Sequence, residues 1–588
     1  MNRLISHISA RLLAAALTGV LAFNTVSPAG VAYAAEQRVV PGPSPIGNYL
    51  AGRHAQSERD LDAAVTYLSA ALGAVPNAPD LLRRTFVLMT IEGRINEALP
   101  LAKRLVKKKS KTPIANLALA VEAIKKGDDK LLQQRLKSQP AEGINGFTRP
   151  VMEAWSLAGA QKPDAALKAL KPLDGNAGSQ GLYDMHHALI LDFAGREKAA
   201  EAAYQDIAKG ERGPSFRLVQ HLGRLYERNG RATEAKALYQ RYVEDTPGTA
   251  LLDAAFRRLA AKNKPPKIIR DGRDGAAEAL FNIANSLRQQ RARETALVLG
   301  RLALWLKPKF PIAQIMVADI LEDDQRYLRA NAIYKAIGEG SAFRNSADLR
   351  RALNLNALKQ TDAAITLMRS LTKKRATDPQ PVVSLGDLLR RHERWDGAID
   401  AYTEAIKRVG NIEKRHWRML YTRGIVLERA KRWEEAEKDF LKALEFEPEQ
   451  PYVLNYLGYS WVDRGINLER AQDMIRTAVK RRPNDGYIID SLGWVYYRIG
   501  KYKKAVLELE RAVQIRPEDP VINDHLGDAY WRVGRKLEAQ FQWTRSLSLK
   551  PNDEVAAEVR KKLKDGLAPA KPVGVPEKAG ETSAPDKT

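Results

Sequence analysis

The sequence predicts an all-α, right-handed superhelical solenoid of about fourteen helical hairpins arranged in two arms. Three observations carry this expectation. A small residue recurs at steps of 34 or 35 positions along most of the chain. Leucine, glycine, tyrosine and proline recur at fixed offsets around it. No stretch has the alternating pattern of a credible strand.

The period is clearest near the C-terminus. Leu492-Gly493, Tyr496, Gly500, Ala505, Ala512 and Pro517 recur 34 residues later as Leu526-Gly527, Tyr530, Gly534, Ala539, Ser546 and Pro551. The small residue that opens each second helix forms a ladder: Ala64, Ala98, Leu132, Ala166, Ala200, Ala235, Ala296, Ala330, Ala364, Ala398, Ala436, Ala471, Ala505 and Ala539. A small side chain at that place lets two helix backbones approach closely, while the larger neighbours fill the adjoining holes. Leu132 departs from the rule. This pattern resembles the tetratricopeptide repeat, strongly after Pro379 and in degenerate form before it, over residues 47–563.

Two steps break the ladder. One of 38 residues, from Ala398 to Ala436, predicts a longer loop around 410–415. The other, Ala235 to Ala296, is 61 residues, and its extra length ends in the basic, Pro- and Gly-rich run KNKPPKIIRDGRDG. That composition predicts a linker or hinge over 262–275, separating an N-terminal arm (47–261) from a C-terminal arm (276–563). Residues 35–46 read as an extended segment and 564–588 as a disordered tail too poor in apolar surface to fold.

The N-terminus predicts the compartment. Arg3 and Arg11, the apolar run at 12–23 and the small-x-small triplet Ala32-Tyr33-Ala34 are the three parts of a signal peptide spanning 1–34. Export then leads to the periplasm. Losing Arg3 and Arg11 takes the net charge from +25 to +23. A positive charge of that size ordinarily points to nucleic acid, and export argues against that partner. It leaves an anionic membrane surface, an acidic glycan or an acidic protein as possible contacts. With no Cys, disulfides, thiolate metal sites, Cys nucleophiles and a lipoprotein anchor are excluded.

No catalytic, metal or cofactor constellation is expected, and the chain is read as a non-enzyme. Motifs for a nucleophile elbow, a zinc helix or a phosphate loop are all missing. His186 and His187 are the only adjacent His pair, and side chains about 100° apart on a helix do not share a metal. Chemistry therefore gives way to surface. Registering the first helices on Gly458, Gly493 and Gly527 predicts a groove-facing stripe. It comprises Asn455, Tyr459, Asp490, Trp494, Tyr497, Arg498, Asp524, Asp528, Trp531 and Arg532. Aromatic rings with Asn, Asp and Arg suit an extended polypeptide. The competing reading places Trp494 and Trp531 in packing between repeats, whereas Trp461, Tyr496 and Tyr530 fall at core positions.

Within the repeat family, residues 455–551 resemble the periplasmic adaptors of Gram-negative bacteria. The resemblance extends to those that dock onto a carboxy-terminal-processing protease and present substrates to it. It implies a scaffold binding protein or peptide partners, among them an envelope protease and its substrates. Two other roles fit the same composition: a periplasmic chaperone, or a structural subunit of a polysaccharide secretion or outer-membrane assembly machine. The carboxylate clamp of some relatives is not carried over, because Tyr421 and Ile425 stand where Lys and Asn are needed. Signal cleavage is directly checkable: mass spectrometry of the exported protein should place its N-terminus within a residue or two of Ala35, and Met1 on that fraction would contradict the reading.

Overall fold

The computed structural model describes residues 39–107, 112–137, 142–210, 213–246 and 249–569. The expected signal peptide, most of the tail and the start of the extended segment lie outside these. Among the described residues there are thirty α-helices and no strand. Consecutive helices pack as hairpins, for example Pro45–Ser57 on Leu61–Ala74 and Gly486–Arg498 on Tyr502–Ile515. None is both long and apolar enough to cross a membrane.

The ladder is the core of every hairpin. No rung from Ala64 to Ala539 is more than 1% exposed, and Leu132 is as buried as the alanines around it. A second periodicity lies five residues ahead of most rungs, in the turn between the two helices. The chain there adopts a left-handed conformation at Gly93, Gly127, Gly195, Gly230, Gly500 and Gly534. Non-glycine residues do so at Arg59, Gln161, Arg291, Gln325, Lys359, Glu393 and Lys431. The following N–H closes the turn on a carbonyl five residues back, as in Arg94→Met89 at 2.9 Å and Gln360→Leu355 at 2.9 Å. The longer loop expected near 410–415 is present. It runs from Gly410 through the short 3₁₀ turn Lys414–His416.

The chain forms two compact units, one ending at Leu371 and one beginning at Thr372. This differs from the division expected at 262–275. That segment lies inside the first unit, and its glycines serve close packing. Asp271 caps the helix Gly272–Gln289 by accepting from the N–H of Asp274 at 2.8 Å. A Cβ on Gly275 would stand 2.0 Å from the Trp155 ring, and one on Gly272 would stand 2.6 Å from the Trp155 carbonyl oxygen. The helix therefore lies hard against Ile144–Gly159, and it also packs on Pro113–Lys126 and Gln180–Phe193. Its hairpin partner Arg293–Leu306 packs on Pro79–Ile91 and Pro113–Lys126. These partners are first helices of their repeats, so the hairpin 272–306 fills the groove that they would otherwise leave open.

Polar contacts fix that arrangement. Trp155 donates through Nε1 to Nδ1 of His186 at 3.0 Å, and Asn282 meets the other ring nitrogen at 3.3 Å. Burial lowers the His186 pKa to about 4, so the ring stays neutral as a structural acceptor. Lys125 donates to the Trp305 carbonyl at 2.6 Å, Arg301 to the Ile91 carbonyl at 2.8 Å, and Arg326 pairs with the buried Glu92.

Two outcomes follow. Gly275→Ala forces the Trp155 ring aside and should cost about 1–3 kcal/mol, read by urea denaturation. Lys359→Gly should instead stabilise by roughly 0.5 kcal/mol, because relief of left-handed strain outweighs the added chain entropy. Unchanged stability in the first, or a loss in the second, would contradict the packing described.

Candidate functional site

The predicted stripe falls on three successive first helices of the second unit: Pro451–Arg464, Gly486–Arg498 and Pro520–Arg532. Each begins at a capping side chain. Asp485 accepts from the N–H groups of Tyr487 and Ile488, and Asp519 from those of Val521 and Ile522, which sets the helix starts and hence the register of the stripe. Trp461, Tyr496 and Tyr530 are buried as expected of core positions.

The ten stripe residues divide into three groups. Asn455, Tyr459 and Asp490 are buried in packing between repeats, at 0%, 6% and 1% exposure, so their side chains do not face an open surface. Trp494, Tyr497 and Arg498 remain partly accessible. The last four are engaged by the chain's own C-terminal segment. Lys562, on the helix Asp553–Asp565, donates to both carboxylate oxygens of Asp524 at 2.8 and 2.9 Å and to Asp528 at 2.8 Å. Arg532 donates to the Ala568 carbonyl at 2.6 Å. Trp531 lies on Trp543 with ring centroids 5.3 Å apart. Gly566 covers it so closely that a Cβ there would stand 2.2 Å from the indole. The expectation that Trp531 presents a free face is therefore narrowed: the chain that follows the last repeat covers part of the ring, and the rest, like that of Trp494, stays partly accessible.

His525, absent from the predicted set, organises what remains. Its Nδ1 pairs with Asp490 Oδ1 at 2.9 Å, and its ring stacks on Trp494 with centroids 4.1 Å apart. Tyr497 stacks on Trp494 as well, at 4.8 Å and nearly parallel. Arg532 Nε donates to the Tyr497 hydroxyl at 3.2 Å. Trp494 is thus held in a three-ring stack, and its Nε1 is buried with no hydrogen-bond partner among the described residues. The accessible part of Trp494 is therefore its ring, while the indole N–H is turned into the protein.

The acid cluster shifts its members together. Burial disfavours charge on His525, but Asp490, with Asp524 and Asp528 nearby, outweighs it and raises the pKa. Burial and the neighbouring Asp524 push Asp528 up to about 6 against the pull of Lys562. Burial opposes charge on Lys562 too, and the two carboxylates overcome it to raise its pKa. Among the described residues no group of His and acidic side chains could hold a metal ion.

Comparison with known proteins finds repeat-family matches within both units. Residues 220–249 and 383–451 match family models described as tetratricopeptide repeat, and residues 493–534 match one described as TPR repeat. These segments are tetratricopeptide repeats, and the repeat fold is a scaffold for protein–protein interaction. A TPR repeat-containing protein of Pseudomonas aeruginosa is 29% identical over 197 residues, which is 33% of this chain and 32% of that relative. The chain thus spans about a third of the length of the curated relative it matches. A tetratricopeptide repeat protein from Parabacteroides merdae aligns at 17% identity with a TM-score of 0.35, covering 43% of this chain and 99% of that one. Yeast Tom70 aligns at 13% identity with a TM-score of 0.33, covering 89% and 95%.

The cluster sets a pH dependence. The folded-state pKa of His525 stands above its unfolded value, so its stabilisation is complete below about pH 6.5 and is lost as pH rises through the folded pKa. Asp528 acts in the same sense lower down, since folding takes up its proton between about pH 4 and 6. Unfolding of the second unit should therefore become easier as pH rises from 5 to 8.5. His525→Gln should flatten the upper part of that slope, and an unchanged slope would rule out the His525–Asp490 pair as its cause.

Proposed function

We propose that this chain is a non-enzymatic adaptor of the bacterial cell envelope, exported to the periplasm, that holds an extended segment of a protein partner on the second unit. The observation that carries the reading is Trp494, partly accessible and stacked between Tyr497 and His525, with a buried indole N–H that no group among the described residues accepts. A bound segment would lie on the accessible part of the ring, and a main-chain carbonyl would accept the N–H once the stack opens to expose it. Arg498, only loosely paired with Asp463 at 3.5 Å, is the neighbouring cation available to a carboxylate or carbonyl of the ligand. The resemblance of residues 455–551 to adaptors that serve a carboxy-terminal-processing protease suggests the finer role of presenting substrates to such an enzyme. The absence of a catalytic constellation in the sequence fits a protein that raises a partner's activity without turnover of its own.

Affinity capture from envelope extract with the full chain tests this. The adaptor reading expects one stoichiometric partner, and a smear of unfolded clients would favour the chaperone role instead. Trp494→Ala should weaken capture about 30-fold, the loss of an aromatic anchor worth ~2 kcal/mol, while melting changes little. Trp531→Ala should do the reverse, lowering melting through lost packing on Trp543 and the terminal segment. Undiminished capture by folded Trp494→Ala would sink the site assignment.

A further inference from the structure

The basic run at 262–275 takes no part in the proposed groove, yet its side chains converge on a cavity of about 450 Å³ within the first unit. The walls come from the helices Phe216–Arg228 and Asp253–Ala260, from the basic run itself, and from the loops entering Pro311–Asp323 and Arg344–Ala357. No carboxylate lines it, whereas seven cationic side chains do.

Four of those cations are paired from behind with three carboxylates. Arg217 grips the fully buried Glu278 with two nitrogens, Arg258 grips Glu227 at 2.7 and 2.8 Å, and Arg270 and Lys307 share Asp274 at 2.8 and 3.3 Å. The other three, Arg224, Lys267 and Lys309, form no ion pair among the described residues. Lys267 is held by the carbonyls of Asp192 at 2.8 Å and Phe193 at 3.2 Å, and Arg224 reaches only the Pro266 carbonyl at 3.4 Å. Carbonyls fix these side chains in place without cancelling their charge. Burial, with Arg258 and Arg217 alongside, lowers the Arg224 pKa to about 10. Crowding of like charge around a cavity is unfavourable in the empty protein and is relieved by an anion.

We infer that this cavity binds an organic phosphate, with the phosphoryl group against Arg224, Lys267 and Lys309 and the apolar portion against Ile268, Phe310 and Phe343. Three unneutralised cations exceed what one carboxylate would balance, and a guanidinium presents paired N–H groups that match phosphate oxygens. The volume suits a ligand of headgroup or nucleotide size, and the apolar wall suits one that is not bare inorganic phosphate. Such a phosphate could come from a soluble ester or from a lipid headgroup.

Calorimetry on the full chain with inorganic pyrophosphate, and sedimentation with phosphatidylglycerol vesicles against phosphatidylcholine vesicles, tests the inference. The probe variant is Arg224→Gln with Lys309→Gln, which orphans no carboxylate. Its unliganded melting temperature should match or exceed that of the parent. The control is Lys407→Gln with Lys503→Gln, two exposed lysines of the second unit. Saturable pyrophosphate binding, weakened at least tenfold in the probe variant and unchanged in the control, supports a soluble phosphate. Binding only to phosphatidylglycerol vesicles, lost in the same variant, supports a headgroup. Binding by neither probe, or binding equal in parent and probe variant, overturns the inference.

Discussion

Close approach of two helices at one small residue per hairpin is the constraint on which the rest of this structure depends. Each rung of the ladder, Ala64 through Ala539, is sealed to 1% exposure or less. An added methylene there would find no room, and a well-packed interior resists such insertion at a cost of about 1–3 kcal/mol. Because the same contact recurs at nearly constant spacing, successive hairpins stack in one sense and their first helices share one side. The left-handed turn ahead of most rungs serves the same end. Seven repeats accept a strained non-glycine residue there, which shows that the turn geometry is imposed by the hairpin rather than chosen by the local residue.

Stacking first helices side by side creates grooves, and in this chain part of that groove surface is covered by the chain itself. In the first unit the hairpin 272–306 lies across the first helices Pro79–Ile91, Pro113–Lys126 and Ile144–Gly159. In the second, the helix Asp553–Asp565 places Lys562 between Asp524 and Asp528, two buried carboxylates that would otherwise lack a counterion. Removing that lysine would leave charge buried without compensation, a heavier penalty than loss of a surface pair. The part of the predicted stripe that stays accessible without a contact from the terminal segment is the short stretch around Trp494, Tyr497 and Arg498. A site defined by what the chain leaves uncovered is smaller than one defined by repeat register alone.

The period, the hairpins and the long loop at 410–415 were legible because they follow from spacing, and spacing is a property of the sequence. The role of 262–275 was not. Gly272 and Gly275 read as hinge residues next to Pro265 and Pro266, whereas the structure uses them for contact with Trp155, a residue more than a hundred positions away. Composition cannot separate a glycine that bends from one that packs. The groove contacts were partly legible in a signal that repeat alignment contains but residue type alone does not. Asp490 and His525, Tyr497 and Arg532, and Asp463 and Arg498 are each 35 residues apart, and Asp528 and Lys562 are 34 apart. Partners one period apart occupy equivalent places on neighbouring repeats, so scanning for complementary residues at that spacing would have found His525 and Lys562. Burial of Asn455 and Tyr459 was invisible for the opposite reason, since it depends on the depth of stacking and not on register.

Photo-crosslinking from single positions tests the central claim, that the accessible stack and not the covered end of the stripe meets the partner. A photoreactive phenylalanine analogue in place of Trp494, or separately of Trp531, would be irradiated in the full chain within envelope extract. The account predicts a polypeptide adduct from position 494, and from position 531 only a crosslink within the chain to the segment around Gly566. Partner adducts from 531 with none from 494 would contradict it.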